Sequence, residues 1–292
     1  MTPKIVTLPT LFALSLAPLA GCGDDPKPTA DTAVSDSATV DTTRSDVSGA
    51  DVALSPSGCL ITAPTDITGT WAILETETAL VTNVPGIGTM NQASLNYFLA
   101  TVTEDGGALS MEAALCDWET SDDANLTTTN MSQALLNSLA PVSRSVAIEA
   151  GAEEARFKGA EGISLRGVTM TDPDADAFPA DGTDARIYDQ EVDAHPGITL
   201  FISGLFQGEL YVAHRNRTAF DGCFKTDDRV EGASLWTTEQ LIIGSNPDDL
   251  LTLQPTAQTH PDATLSKFTM VRAPGVIDCA ALKAARSVLF AE

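Results

Sequence analysis

Residues 108–118 read ALSMEAALCDW, and along this stretch apolar and polar side chains alternate. Leu109, Met111, Ala113 and Leu115 fall at every second position, so in an extended chain they all point to the same side. A period of two is typical of a strand that buries one face and leaves the other in water. This stretch therefore predicts a β-strand that covers a core, and it indicates a β fold for the chain around it.

A β-hairpin is predicted near residue 206. Ile198–Ser203 and Glu209–His214 contain β-branched and aromatic residues, and Gly204–Gly208 separates them with a glycine at each end. Glycine permits the backbone angles that tight connections need, so the two segments are expected to pair antiparallel. Six other segments resemble these strands in composition and lie between turn-forming residues: Thr68–Thr76, Leu95–Thr103, Ser145–Ala150, Ile163–Thr169, Leu235–Ile243 and Lys267–Arg272.

Two helices are also predicted. Asn130–Leu139 is short, whereas Asp278–Phe290 begins with an aspartate, whose side chain can accept hydrogen bonds from the first turn of a helix. Many short antiparallel strands followed by a helix predict a mainly β fold, an antiparallel β-barrel or sandwich with a C-terminal helix. Four apolar residues are expected to form one stripe of the last helix: Ile277, Leu282, Ala285 and Leu289.

The N-terminal residues have the pattern of a signal sequence. Lys4 precedes the apolar run Ile5–Leu19, which is shorter than the ~20 residues that a helix needs to span a bilayer. The run ends in Leu19-Ala20-Gly21-Cys22, which resembles the lipobox of bacterial lipoproteins, the site of the type II signal peptidase. The resemblance implies removal of residues 1–21 and acylation of Cys22. An ordinary secretory signal with an unrelated cysteine is the alternative.

The lipoprotein resemblance also implies a location outside the cytoplasm. Two or three acyl chains on Cys22 would anchor the protein stably, whereas one chain gives only marginal membrane binding. Gly23 rather than an aspartate follows the cysteine, which by resemblance to enteric lipoproteins favours the outer membrane. The membrane is therefore an expected partner of the chain, through its lipid anchor.

Residues 22–58 are expected to form a disordered acidic linker. The segment consists mainly of Asp, Thr, Ser, Ala and Pro, and aspartates recur at every fifth position from Asp31 to Asp51. Such a repeat has no apolar face to bury, and its charges repel one another. A calcium-binding repeat is the alternative, although such sites need glycines and fixed ligand geometry.

The charge of the chain limits its partners. It has 40 acidic and 16 basic residues and a net charge of −24. Nucleic acid is disfavoured as a partner, because phosphate binding needs clustered Lys and Arg. This excess of acidic residues fits a solvated extracytoplasmic protein.

Residues 59–292 are predicted to form a single, mostly β domain with two disulfides. Four cysteines remain after Cys22, and thiols outside the cytoplasm most often oxidise in pairs. Of the three possible connectivities, Cys59–Cys279 with Cys116–Cys223 is preferred, because the first strand of a closed sheet begins beside the end of the last. A zinc site is the alternative, but no CxxC pair is present and the three histidines are scattered.

The first strand carries a motif of a known family. Gly69-Thr70-Trp71 resembles the Gly-x-Trp motif of lipocalins and other calycin-type barrels. The resemblance implies that Arg272, near the end of the last strand, packs over Trp71 and closes the base of the barrel. The second lipocalin motif, an acidic turn followed by Tyr and Arg, has no convincing counterpart.

Two acidic clusters are candidates for calcium binding. Asp189, Glu191 and Asp193 alternate, as do three aspartates in Asp172–Asp176, and oxygen ligands at alternate positions of a tight loop suit Ca²⁺. Ala194 stands where such a loop usually has a glycine. A solvated acidic loop is the alternative for both clusters, and apart from Ca²⁺ no cofactor is expected.

No catalytic motif is found, so the chain is not expected to be an enzyme, and a hydrolase ranks last among the hypotheses.

The first hypothesis is a barrel or sandwich that binds a small apolar ligand, and the alternative is a structural or protein-interaction module at the cell envelope. An enclosed apolar cavity of roughly 300 Å³ or more favours the first, and a filled interior favours the second. Seven residues are candidates to line the cavity: Tyr97, Phe98, Met111, Phe201, Tyr211, Trp236 and Met270.

Overall fold

The computed structural model describes residues 54–84, 88–123, 125–151, 153–248 and 256–291. The signal sequence, Cys22 and the linker as far as residue 53 lie outside these ranges. The strands are β1 (Gly69–Val84), β2 (Gly88–Asp105), β3 (Ala108–Asp122), β4 (Thr127–Met131), β5 (Val142–Ala150), β6 (Ala155–Arg166), β7 (Ile198–Gly204), β8 (Gly208–Thr226), β9 (Arg229–Asn246), β10 (Thr256–Thr259) and β11 (Lys267–Arg272). The helices are α1 (Gln133–Ser138), a 3₁₀ turn over Ala263–Leu265 and α2 (Cys279–Leu289).

The eleven strands form one antiparallel sheet that closes into a ring. Eight of them pair in the circular order β1, β2, β3, β5, β6, β8, β9 and β11, and β11 then pairs with β1. At the other end of the barrel, β4 and β7 take the places of β5 and β6 between β3 and β8, and β10 pairs with β1. The prediction of a mainly β fold, an antiparallel barrel or sandwich with a C-terminal helix, is confirmed, and the closed ring of strands makes it a barrel.

Alternation predicted the positions of the strands well and their lengths less well. The stretch at 108–118 lies within β3, and Lys267–Arg272 coincides with β11. The hairpin prediction is also confirmed, since β7 and β8 pair from Ile198 to Ile202. Several strands extend beyond the predicted segments, because long strands in a closed barrel continue through polar positions that face water or the barrel interior.

The two predicted helices differ in outcome. The helix predicted over Asn130–Leu139 is present but begins three residues later, at Gln133, because β4 runs to Met131. The Ser132 hydroxyl caps this helix by accepting from the Leu135 backbone N–H at 2.9 Å. The C-terminal helix is confirmed, and the Asp278 carboxylate accepts from the Ala281 N–H at 2.8 Å. Ile277 precedes this cap and is 84% exposed, so it is not part of the buried stripe.

Apolar side chains fill the end of the barrel where β11 meets β1. Four of the largest are fully buried, namely Trp71, Phe157, Phe224 and Phe268. Burying each such ring contributes about 2–3 kcal/mol, so this apolar core accounts for much of the stability of the fold. On the outside, α2 packs Leu282 against a separate cluster that includes Ala72.

The cysteines form two disulfides, but the predicted pairing is wrong. The bonds are Cys59–Cys223 and Cys116–Cys279, with Cα–Cα distances of 5.8 and 4.9 Å. The chain before β1 runs along the end of β8, where the Leu60 N–H donates to the Phe224 carbonyl at 2.7 Å, and this places Cys59 at Cys223. Cys116 is the extra residue of a β-bulge in β3, so its sulfur lies on the outside under α2.

Candidate functional site

A layer of polar side chains crosses the barrel interior beyond the apolar core. Along β1 the inward positions run from Trp71 and Ile73 through Glu75 and Glu77, before apolar residues return at Ala79. Strands β2, β5, β6, β8 and β9 contribute further polar groups at the same level. We call this layer the polar centre; its members are Glu75, Glu77, Asn96, Arg144, Arg166, His214, Asn216, Thr218 and Ser234.

The two carboxyl groups of the polar centre have polar partners. Glu75 is 2% exposed, and its two oxygens accept from the Ser234 hydroxyl at 2.5 Å and from the Asn96 amide at 3.2 Å. Burial, with the nearby Glu77 carboxylate, raises the pKa of Glu75 to about 8, so this group is mostly neutral at pH 7. Glu77 accepts from the Asn216 amide at 2.7 Å and from the Thr218 hydroxyl at 3.3 Å.

Two arginines are buried in the same layer without an ion pair. Arg144 is 8% exposed, donates from Nη1 to the Thr218 carbonyl at 2.9 Å and lies 4.4 Å from the ring centroid of Phe220. Arg166 is 7% exposed, and its guanidinium group makes no hydrogen bond or ion pair with any described residue. Burial lowers the pKa of both guanidinium groups, while the carboxylates of Glu77 and Glu75 act in the opposite direction. Burying an unpaired charge is costly, so this layer is energetically unusual.

Two glycines of β6 make room for Arg144. The pairing of β6 with β8 is irregular between Gly159 and Gly162. A Cβ atom on Gly162 would lie 2.6 Å from Val142 Cγ1 and 3.0 Å from Arg144 Nη2, closer than real Cβ atoms normally approach. The absence of a side chain at Gly162 is therefore what allows the guanidinium to enter the interior.

The polar centre lines a small, partly open cavity of about 20 Å³. Arg144, Arg166, Glu75, Asn96 and Asn216 are among its lining residues. One water molecule needs about 10–15 Å³ on the same measure, so the cavity has room for one small occupant. Within the described ranges, five buried atoms of this layer lack a hydrogen-bond partner: Asn96 Oδ1, Arg144 Nε, Arg166 Nε, His214 Nδ1 and Asn216 Oδ1.

His214 also belongs to this interior. Its Nε2 atom and the Thr238 hydroxyl are hydrogen-bonded. Burial and the positive charge of Arg166 lower the pKa of His214 to about 3, so the imidazole is neutral at ordinary pH.

Trp71 and Arg272 lie together at the other end of the barrel. They are paired residues of β1 and β11, and Arg272 Cζ lies 4.6 Å from the centroid of the indole ring. Arg272 also donates to the carbonyls of Thr68 and Asp66 at 2.7 and 2.8 Å, and the Trp71 indole N–H donates to the Ile67 carbonyl at 2.9 Å. The contact implied by the Gly-x-Trp motif is thus present, and it covers the apolar core.

The expected calcium loop is not formed by Asp189, Glu191 and Asp193. Asp189 accepts from the backbone N–H groups of Asp193 and Ala194 at 3.1 and 2.8 Å. Asp193 accepts from the Thr199 hydroxyl at 2.5 Å, and Glu191 accepts from the Thr199 N–H at 3.1 Å. In the described part of the chain these three carboxylates do not meet at metal-ligand spacing. Asp189 instead holds the turn of its own loop, and Glu191 and Asp193 bind Thr199 at the start of β7.

The carboxylates of the cluster at Asp172–Asp176 also accept hydrogen bonds from protein donors. Asp172 and Asp176 accept from backbone N–H groups of their own turn, and Asp174 accepts from Arg217 at 2.5 Å. A group of three metal-ligating side chains does occur among the described residues, at Cys59, Glu154 and Cys223. Its two sulfur atoms are joined in a disulfide, so it offers a single carboxylate.

The residues predicted to line an apolar cavity do not come together. Met111 and Met270 lie in the apolar core, Phe98 lines the small cavity, and Tyr97 packs outside against Phe290. Phe201 is 39% exposed, and the ring of Tyr211 stacks on His195 with 4.0 Å between the centroids.

Trp236 is buried in an apolar cluster with Ala79 and Met90, and it also borders an open groove of about 350 Å³. We call this the outer groove; it runs beside Leu235 and the 3₁₀ turn at Ala263–Leu265, and its surface is mostly apolar.

Comparisons of this chain with protein-family models, curated proteins and solved structures found no match. Within the described ranges, no helix is both long and apolar enough to cross a bilayer.

The charged residues of the polar centre were not singled out from the sequence. A signal for them exists, because Arg144 falls between Val142 and Val146 at inward positions of a strand, where an apolar residue would be expected.

Proposed function

We propose that this chain is a lipid-anchored protein of the bacterial envelope whose barrel acts as a structural or protein-interaction module. The observation that carries the proposal is the filled interior. Apolar side chains occupy the closed end, and the cavity of the polar centre has a volume of about 20 Å³, far below the roughly 300 Å³ of a small-molecule site. Its lining is charged and amidic, which does not suit an apolar ligand.

The proposed location depends on the lipobox at Leu19–Cys22 and on the cysteines of the barrel. Two disulfides are typical of proteins that fold outside the cytoplasm, which supports export. Acylation of Cys22 would anchor the chain in the membrane, and the acidic linker would hold the barrel away from the negatively charged lipid surface. Gly23 supports the outer membrane as the destination.

Native mass spectrometry of the full chain, purified from its own host in a mild detergent, tests the role of the barrel. We expect the mass of the acylated protein with no bound apolar molecule, because the interior has no room for one. A stoichiometric apolar ligand would overturn the proposal.

In the same host, Cys22→Ser is expected to release the protein from the membrane fraction, and unchanged membrane association would contradict the lipid anchor.

A second candidate function is binding of a small apolar ligand in the outer groove. Its mostly apolar surface beside Leu235, which is 51% exposed, favours this candidate. A co-purifying ligand that is lost in Leu235→Asp, but retained in a matched Leu205→Asp variant, would establish it. Leu205 is similarly exposed, at 56%, and does not line the groove.

A further inference from the structure

We infer that the polar centre is a buried binding site for one small monoanion, held by the guanidinium groups of Arg144 and Arg166. Arg144 and Arg166 are 8% and 7% exposed, and both line the same small cavity. This site is independent of the proposed function, since an internal ion can stabilise a barrel whatever its surface binds.

The unmet hydrogen-bonding capacity of Arg166 is the first argument. Arg215, at 5% exposed, shows how a buried arginine of this barrel is normally accommodated: it pairs with Glu239 and donates to the carbonyls of Pro173 and Asp176 at 3.0 and 2.8 Å. Arg166 has no such partner among the described residues, and the Nε atoms of both Arg144 and Arg166 are unpaired. An anion in the cavity would supply the missing acceptor.

The charges around the cavity are the second argument. Neither arginine has a carboxylate oxygen within 4.0 Å in the described part of the chain. Glu77 is bonded to Asn216 and Thr218, and Glu75 is bonded to Ser234 and Asn96, so neither carboxyl group is hydrogen-bonded to a guanidinium group. One monoanion between the two guanidinium groups would supply the counter-charge that they lack at contact distance.

The remaining donors and the size of the cavity define the chemical class. Asn96 lines the cavity, and exchanging the nitrogen and oxygen of its amide lets neutral Glu75 donate to Oδ1 while Nδ2 becomes available to an anion. A volume of about 20 Å³ accepts a halide or an anion of similarly few atoms. Dicarboxylates and phosphate esters are too large, and a water molecule would fit without neutralising the charge.

Anion-dependent thermal stability of the full chain in a non-ionic detergent tests this site. The protein is unfolded in urea with its disulfides intact and refolded in sodium gluconate, whose anion is too large for the cavity. Chloride, bromide or nitrate then replaces gluconate at constant ionic strength. We expect a saturable rise in Tm of roughly 5–10 °C at a hundredfold excess over the dissociation constant. Equal Tm values in gluconate and in all three small anions would overturn the inference and indicate bound water only.

Two variants separate the site from general salt effects. Arg166→Gln should lose the anion-dependent rise, whatever its own Tm in gluconate. The control is Arg229→Gln, which removes a guanidinium group paired with Glu231 on β9 and should keep the whole rise. An undiminished rise in Arg166→Gln would overturn the assignment.

Crystals of the wild-type chain grown in bromide give a direct readout that does not depend on variant folding. We expect an anomalous peak in the cavity, within hydrogen-bonding distance of Arg144 and Arg166. A cavity without that peak would contradict the inference.

Discussion

At the scale of single residues, the energetics of this barrel centre on Glu75. Its carboxyl group is enclosed by Asn96 of β2 and Ser234 of β9, with Arg144 of β5 and Glu77 of its own strand nearby. Burial outweighs the stabilising hydrogen bonds and the arginine charge, so the protonated form is favoured in the fold. The stability of the protein should therefore depend on pH in a direction opposite to that of most surface carboxylates.

Glu75→Gln is expected to make stability less sensitive to alkaline pH. The pKa of Glu75 is raised from its ordinary 4.5 to about 8, so its stabilising contribution is full below pH 4.5 and is lost as pH rises through 8. Glutamine cannot ionise, so the free energy of unfolding of the variant, relative to that of wild type, should rise by roughly 4 kcal/mol between pH 5 and pH 9. Urea unfolding at several pH values measures this difference.

The pH-dependent difference can be assigned to Glu75 for two reasons. His214 has a lowered pKa and reduces stability below its ordinary value of 6.5, but it does so in both proteins and cancels in the difference. Glu112→Gln, on an exposed position of β3, is the matched control and should follow the wild-type pH profile. A pH-independent difference between Glu75→Gln and wild type would show that Glu75 is ionised throughout.

Gly162→Ala is expected to destabilise the barrel. The added Cβ would meet Val142 Cγ1 at 2.6 Å and the Arg144 guanidinium at 3.0 Å, so the free energy of unfolding should fall by about 1–3 kcal/mol. Gly275→Ala is the control, because a Cβ there has no atom within 4 Å, and its effect should be neutral or slightly stabilising. Equal unfolding midpoints in urea for the two variants would contradict the close packing at Gly162.

At the scale of elements, α2 is attached to the barrel from outside. Leu282 is its fully buried contact, Arg286 lies 4.8 Å from the Tyr97 ring centroid and pairs with Asp117, and the disulfide joins Cys279 to the bulge of β3. Because α2 is not part of the closed sheet, its attachment can be weakened without opening the ring of strands.

Replacing Cys116 and Cys279 together with alanine should loosen α2 and leave the barrel closed. Removing this crosslink is expected to cost about 2–4 kcal/mol of stability, since it closes a loop of 163 residues in the unfolded chain. Hydrogen exchange should speed up in α2, and the amides of β8 and β9 should remain protected. Loss of protection throughout the sheet would show instead that the disulfide holds the ring together.

At the scale of the whole molecule, the barrel has a layered interior. An apolar core lies at the end where Arg272 covers Trp71, the polar centre follows, and a second apolar cluster around Trp236 and Met90 lies beyond it. Side chains of the barrel strands occupy all three layers, which suits a module that acts through its surface.

Chelation should leave the stability of the whole molecule unchanged. Most carboxylate oxygens of the acidic loops at Asp172–Asp176 and Asp189–Asp193 accept from backbone N–H groups, from Thr199 or from Arg217, and the three carboxylates of the second loop do not converge at metal-ligand spacing. The Tm in excess EDTA is therefore expected to equal the Tm in excess calcium at matched ionic strength. A calcium-dependent rise in Tm that survives Asp248→Asn but not Asp189→Asn would restore a calcium site at the second loop.

The sequence by itself determined the local elements of this protein. Alternation at Leu109, Met111 and Ala113 predicted β3, and Asp278 marked the start of α2, because strand faces and helix caps depend on neighbouring residues. Only the tertiary structure decided the disulfide partners, since a one-residue bulge turned Cys116 outward to α2. The polar centre likewise exists only in the closed barrel. Glu75, Arg144 and Arg166 are distant along the chain and share a cavity because ring closure brings β1, β5 and β6 around one interior.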